Sequence, residues 1–81
     1  MSKDEKLSAC LSFIKRNRHK DDLHSAMCYF KSSRVVYICC HFNGSFSVIY
    51  RDKDKQVDCS SIKEVLDLFE EENEELDYYD I

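Results

Sequence analysis

Proline is missing from this 81-residue chain, and glycine occurs once, at Gly44. A chain so poor in breakers, with 43% apolar residues, five tyrosines and five phenylalanines, carries too much core material to stay disordered. The lone glycine also excludes the glycine-rich loops that cradle nucleotide phosphates. No run of eighteen apolar residues is present, so no membrane-spanning helix is expected. The polar start Met1-Ser2-Lys3-Asp4-Glu5-Lys6 lacks the apolar stretch of a secretory signal, and the expected location is the cytoplasm.

Catalytic and metal-binding patterns are equally scarce. A zinc site asks for about four ligands in paired spacings. Adjacent residues in Cys39-Cys40-His41 point to opposite faces of a strand and do not converge on one ion. Cys28, Cys39 and His41 are expected on a single face, where a sheet interior accounts for them. A cysteine paired with His24 or His41 lacks the flanking groups that would orient a base or hold an oxyanion. His19 and His24 read as surface residues near a helix end and a strand start. No cofactor, metal or enzymatic activity is expected. The five cysteines are an odd count, and four of them fall inside apolar-periodic segments. They read as reduced thiols that pack as small hydrophobes.

What is present is one domain over residues 1–81, with a modest core. A chain of this length buries only about 60% of the surface it exposes unfolded, so its stability is modest or helped by a partner. Between Lys3 and about His19, the residues Leu7, Cys10, Leu11 and Ile14 recur at helical spacing. The basic residues Lys15, Arg16, Arg18, His19 and Lys20 then complement the negative end of that helix. From Ala26 to Arg51 the composition turns aromatic and β-branched, giving strands over Met27–Phe30, Val35–Phe42 and Phe46–Tyr50. Asn43-Gly44 fits a two-residue type I′ turn. That turn sets Tyr37 opposite Tyr50, Cys39 opposite Val48, His41 opposite Phe46, Ile38 opposite Ile49 and Cys40 opposite Ser47. Ser32-Ser33 would turn the first strand onto the second, placing Cys28 and Phe30 on the Tyr37 face and Met27 and Tyr29 on the Ile38 face. Gln56-Val57-Asp58 reads as a short edge strand. Ser61-Ile62-Lys63-Glu64 reads as a capping box that opens a helix with the stripe Ile62, Val65, Leu66 and Phe69. The fold class is therefore α+β, a two-layer sandwich: helix, antiparallel meander of three or four strands, helix, and an acidic extension over 70–81 that is a tail or prolongs the helix.

Charge is segregated along the chain. Residues 1–58 hold eleven Lys or Arg against seven Asp or Glu, whereas residues 59–81 hold one lysine against nine acids. A helix C-terminus is an unfavourable place for so many carboxylates, because they oppose its dipole and repel one another. Leu76, Tyr78, Tyr79 and Ile81 interleave with these acids and suggest a docking surface. Aromatic rings supply contact area there while carboxylates steer towards a basic partner. Carboxylates spaced along a helix can also stand in for nucleic-acid phosphates. A second expected surface is an uncovered apolar sheet face made of Met27, Tyr29, Val36, Ile38, Cys40 and Ile49, suited to an adaptor or a homodimer.

The order of elements resembles the double-stranded-RNA-binding domain. That family places a lysine-rich motif at the start of its second helix, where this chain has Ser60-Ser61-Ile62-Lys63-Glu64, so its phosphate-binding residues have no counterpart. The architecture and the acid-plus-aromatic run from Glu70 to Asp80 are more similar to small acidic inhibitors encoded by bacteriophages, anti-CRISPR proteins among them, which block a host nucleic-acid-binding protein by imitating DNA. The resemblance implies a non-enzymatic inhibitor in the cytoplasm of a host cell. Its partner would be a basic nucleic-acid-binding protein, without direct contact to nucleic acid or membrane. Glu70, Glu71, Glu72, Glu74, Glu75, Asp77 and Asp80 would be its phosphate stand-ins, and Tyr78 and Tyr79 its contact anchors.

Overall fold

A computed structural model describes residues 4–81. Helix α1 (Glu5–Arg16) is followed by strands β1 (Ser25–Phe30), β2 (Val35–Cys40), β3 (Phe46–Tyr50) and β4 (Lys55–Cys59). Helix α2 (Ile62–Glu71) and strand β5 (Leu76–Asp80) complete the chain. The five strands form one antiparallel sheet in the order β4-β3-β2-β1-β5. Both helices pack on one face of that sheet, with α1 over β1, β2 and β5 and α2 over β3 and β4. Among the described residues, no helix is long and apolar enough to cross a membrane.

The expected helical stripe of α1 is buried in full, at Leu7, Cys10, Leu11 and Ile14. The start expected at Lys3 lies outside the described residues. Asp4 caps the helix, its Oδ1 accepting from the backbone N–H groups of Lys6 and Leu7 at 3.1 and 3.2 Å. The helix stops at Arg16 rather than near His19, because Asn17 closes it and its side-chain Nδ2 donates to the Phe13 carbonyl at 2.9 Å. At α2, the Ser61 hydroxyl accepts from the N–H of Glu64 as expected of a cap. The Glu64 carboxylate reaches back one residue further than a simple box and takes both the N–H and the hydroxyl of Ser60, each at 2.8 Å.

Both hairpin registers differ from the expected ones by one residue, for the same reason. Each loop has three residues, not two. Gly44 N–H donates to the His41 carbonyl at 2.9 Å and His41 N–H to the Ser45 carbonyl at 2.8 Å, so Phe42-Asn43-Gly44 forms the loop. Within it only Gly44 takes a positive φ, of 92°. A type I′ turn needs two such residues, whereas a three-residue loop needs one, at its last position. Lys31-Ser32-Ser33 repeats the geometry, with Ser33 at φ 76° and its N–H on the Phe30 carbonyl at 2.9 Å.

Because side chains alternate along a strand, each slip exchanges the faces of one strand relative to its neighbour. The two slips cancel between β1 and β3, so β2 alone is turned over. Val36 pairs with Tyr50, Ile38 with Val48 and Cys40 with Phe46, all on the helix-covered side. Tyr37 pairs with Ile49 and Cys39 with Ser47 on the open side. The expected apolar face is corrected accordingly. Val36, Ile38 and Cys40 lie in the core, while Met27, Tyr29 and Ile49 lie half-buried on the open face with Val35, Tyr37 and Cys39. Cys28 likewise does not share a face with Cys39 and His41, because its strand partner is Val36.

Of the acidic extension, Glu70 and Glu71 still belong to α2, and the part beyond them is neither a tail nor a continuation of the helix. Asn73 adopts φ 57°, its N–H donates to Glu70, and the N–H of Glu74 returns to the Phe69 carbonyl at 2.9 Å. This is a left-handed helix stop, for which asparagine is the usual substitute for glycine. Leu76 then enters the core opposite Phe30, and β5 pairs with β1 through Tyr78↔Tyr29, Tyr79↔Cys28 and Asp80↔Met27. Asp77 is the extra residue of a bulge between these pairs.

Candidate docking edge

Strand β5 is the outermost strand beside β1, and among the described residues one side of its backbone faces no other strand. Four consecutive residues of this edge, Asp77, Tyr78, Tyr79 and Asp80, are exposed. Tyr78 projects to the open face and stacks on Tyr29, with ring centroids 4.6 Å apart and planes at 12°. It is still 56% exposed, so the stack orients the ring without hiding it. Tyr79 stands on the helix side opposite Cys28. Lys6 Nζ donates to the Asp77 carbonyl at 3.2 Å, and Asp4 Oδ2 accepts from Leu76 N–H at 2.7 Å. One aspartate therefore closes the start of α1 and holds the start of β5.

The remaining expected phosphate stand-ins divide into two groups. Glu70 and Glu71 are exposed at the end of α2. Glu72, Glu74 and Glu75 are engaged by cations of the β1–β2 loop, for which no local pattern in the sequence gives an expectation. Arg34 Nη1 lies 3.1 Å from Glu72 and 3.5 Å from Glu74, and its Nε lies 3.5 Å from Asp52. The Ser32 hydroxyl adds a 2.6 Å bond to Glu74, whose side chain is only 9% exposed, and Lys31 pairs with Glu75 at 3.2 Å. Tyr50 donates its hydroxyl to Glu72 at 3.0 Å, while the Arg34 guanidinium sits 5.4 Å from its ring centre. Burial, then the bond to Glu72 and its charge, push the Tyr50 hydroxyl well above its ordinary value of 10. This knot ties three connections together: β1–β2, β3–β4 and α2–β5. Nothing in the local sequence around Arg34 marks it, since its partners lie 18 to 40 residues away along the chain.

A second polar row crosses the open face. The Ser47 hydroxyl donates to Asp58 Oδ1 at 3.1 Å and lies 2.7 Å from His41 Nε2. With the carboxylate accepting, the hydroxyl must receive its other hydrogen from the imidazole. Nucleophile activation needs the imidazole between hydroxyl and carboxylate, and here the hydroxyl occupies the middle. The row acts as a strap across β3 and β4. Bonds from Gln56 and Ser47, with the nearby His41, hold the Asp58 carboxyl below its usual range.

Among the described residues, all five cysteines are free and no group of three His, Cys, Asp or Glu side chains is placed to hold a metal ion. The thiols of Cys39, Cys40 and Cys59 are pushed up chiefly by burial. That of Cys28 is raised first by its hydrogen bond with Cys10 and then by burial. Such thiols stay protonated and make poor nucleophiles.

Together these features define a two-layer α+β domain with one open sheet face and an acidic, aromatic free edge. No protein-family model, curated protein or solved structure matches the chain.

Proposed function

We propose that the chain is a non-enzymatic inhibitor. Its acidic edge docks on the basic nucleic-acid-binding surface of another protein and takes the place of nucleic acid there. The observation that carries this reading is the run Asp77-Tyr78-Tyr79-Asp80, exposed on the free edge of β5. A sheet strand holds carboxylates and rings at fixed positions, which lowers the ordering cost of binding relative to a loose tail. The exposed Glu70 and Glu71 extend the same negative surface. Glu72 and Glu74, paired internally, support the loop that positions it.

The test uses the whole chain and the variant Glu71→Gln/Asp77→Asn/Asp80→Asn as paired baits in a bacterial lysate, followed by direct binding to each captured nucleic-acid-binding protein. The expected outcome is at least about tenfold weaker binding by the variant, with the unmodified chain displaced by DNA or RNA and by salt. Equal binding by both, insensitive to salt, would overturn the reading.

The open face supports a second reading, as the contact of an adaptor or homodimer. Met27, Tyr29, Val35, Tyr37 and Ile49 form a largely apolar surface across three strands, with neither helix over it. Light scattering at micromolar concentration decides the homodimer: a monomeric mass removes it.

A further inference from the structure

At the other end of α1 from the docking edge, the basic residues that follow the helix meet the tip of the β2–β3 hairpin. Phe42 stands at that tip and is 71% exposed, the most exposed large apolar side chain among the described residues. The tip is held firmly. Arg18 donates through Nε to the Phe42 carbonyl and through Nη1 to the Lys15 carbonyl, each at 2.8 Å. The His19 ring lies against Phe42 with centroids 4.9 Å apart. The Lys15 side chain passes over Gly44, its Cε 3.5 Å from where a β-carbon would stand. Beside the ring is a concavity of about 360 Å³ lined by Arg18, His19, Lys20, His24 and His41, with Asp21 as its one carboxylate.

We infer that this tip and the basic turn after α1 form a binding site for single-stranded nucleic acid. One unpaired base stacks on the open face of Phe42, and the flanking phosphates pair with Lys15 and Lys20. An exposed planar ring on a hairpin tip whose backbone is bonded to Arg18, with Arg18 and Lys20 lining the adjoining concavity, matches the arrangement that sequence-tolerant strand binders use, with stacking for the base and charge for the backbone. A bilayer surface would favour several apolar anchors. Among the described residues Phe42 stands alone here, the other exposed large apolar ones, Tyr78, Tyr79 and Ile81, lying on or just after β5. The net charge of −4 sets an expectation against nucleic-acid contact. Asp4, Glu5, Glu70, Glu74 and Glu75 gather at the far end of α1, while on this side Lys15, Arg16, Arg18 and Lys20 stand against Asp21, Asp22 and, through Ser47 and His41, Asp58. The inference goes beyond the docking edge and does not depend on it.

Fluorescence anisotropy with labelled oligo-dT and oligo-rU of about twelve nucleotides tests it, using the full chain, Phe42→Ala and Lys15→Gln/Lys20→Gln, each checked for folding by circular dichroism. The full chain is expected to bind single strands better than a duplex of the same length. Two phosphate contacts predict a loss of about sevenfold between roughly 50 and 200 mM salt. Phe42→Ala is expected to bind about tenfold more weakly with the same salt slope, and the lysine variant to flatten that slope. The proposal is overturned by an absence of binding at low salt, by unchanged affinity in Phe42→Ala, by equal affinity for duplex, or by capture on phosphatidylserine vesicles without oligonucleotide binding.

Discussion

Tyr50 shows how much a single side chain can link. Its ring is buried among the core residues while its hydroxyl holds Glu72, the carboxylate that also receives Arg34. Since its folded-state proton is held above the ordinary value of 10, the folded chain keeps a proton that the unfolded chain releases. That contribution to stability is complete below pH 10 and declines as pH rises beyond it. Urea titrations at about pH 10 and pH 11 are expected to show the native chain losing about 1 kcal/mol more than Tyr50→Phe over that interval. An equal loss in both would place the cause elsewhere. At this scale the sequence was a fair guide to apolar residues and a poor guide to polar partners. Leu7, Cys10, Leu11 and Ile14 are buried as their spacing requires, and four of the five cysteines pack as small hydrophobes. The role of Arg34 is not legible in the sequence, because an ion pair between distant segments leaves no periodic trace.

The two helices and the first four strands were readable as elements, since each carries its own period or composition. Registers were not, because loop length decides them and a loop of two or three residues looks alike when serine or asparagine flanks the turn. The signal for the fifth strand was also present, though local. Asn73 supplies the helix stop, and Leu76 resumes the core two residues before the Tyr78-Tyr79 pair. A run of glutamates with good helix propensity masked it. Asn73→Ala places a β-carbon-bearing residue without asparagine's left-handed tolerance at φ 57° and is expected to cost about 1 kcal/mol. Asn73→Gly is expected to be neutral or slightly stabilising, as thermal unfolding of the pair would report. Should Asn73→Ala prove neutral, the left-handed turn would not be what ends α2.

For the whole molecule, segregated charge in the sequence becomes separation in space. Acids gather around the start of α1 and the end of α2, and the basic turn stands at the other end of α1. Strand β5 belongs to the fold as much as to the docking edge, because Leu76 is fully buried and its backbone is bonded to Asp4. A chain cut after Phe69 is therefore expected to lose cooperative unfolding, whereas the Glu71→Gln/Asp77→Asn/Asp80→Asn variant keeps it, by circular dichroism on heating. A cooperative truncated chain would make β5 an accessory. The 72-residue separation between Asp4 and Leu76 has a temporal meaning as well. On a ribosome β1 emerges early, and the strand that covers its outer edge emerges after every other described element. Until then that edge is an open template for strand pairing, flanked by Met27 and Tyr29. Nascent chains of this protein are thus most exposed to misassociation in the interval between synthesis of β1 and synthesis of β5.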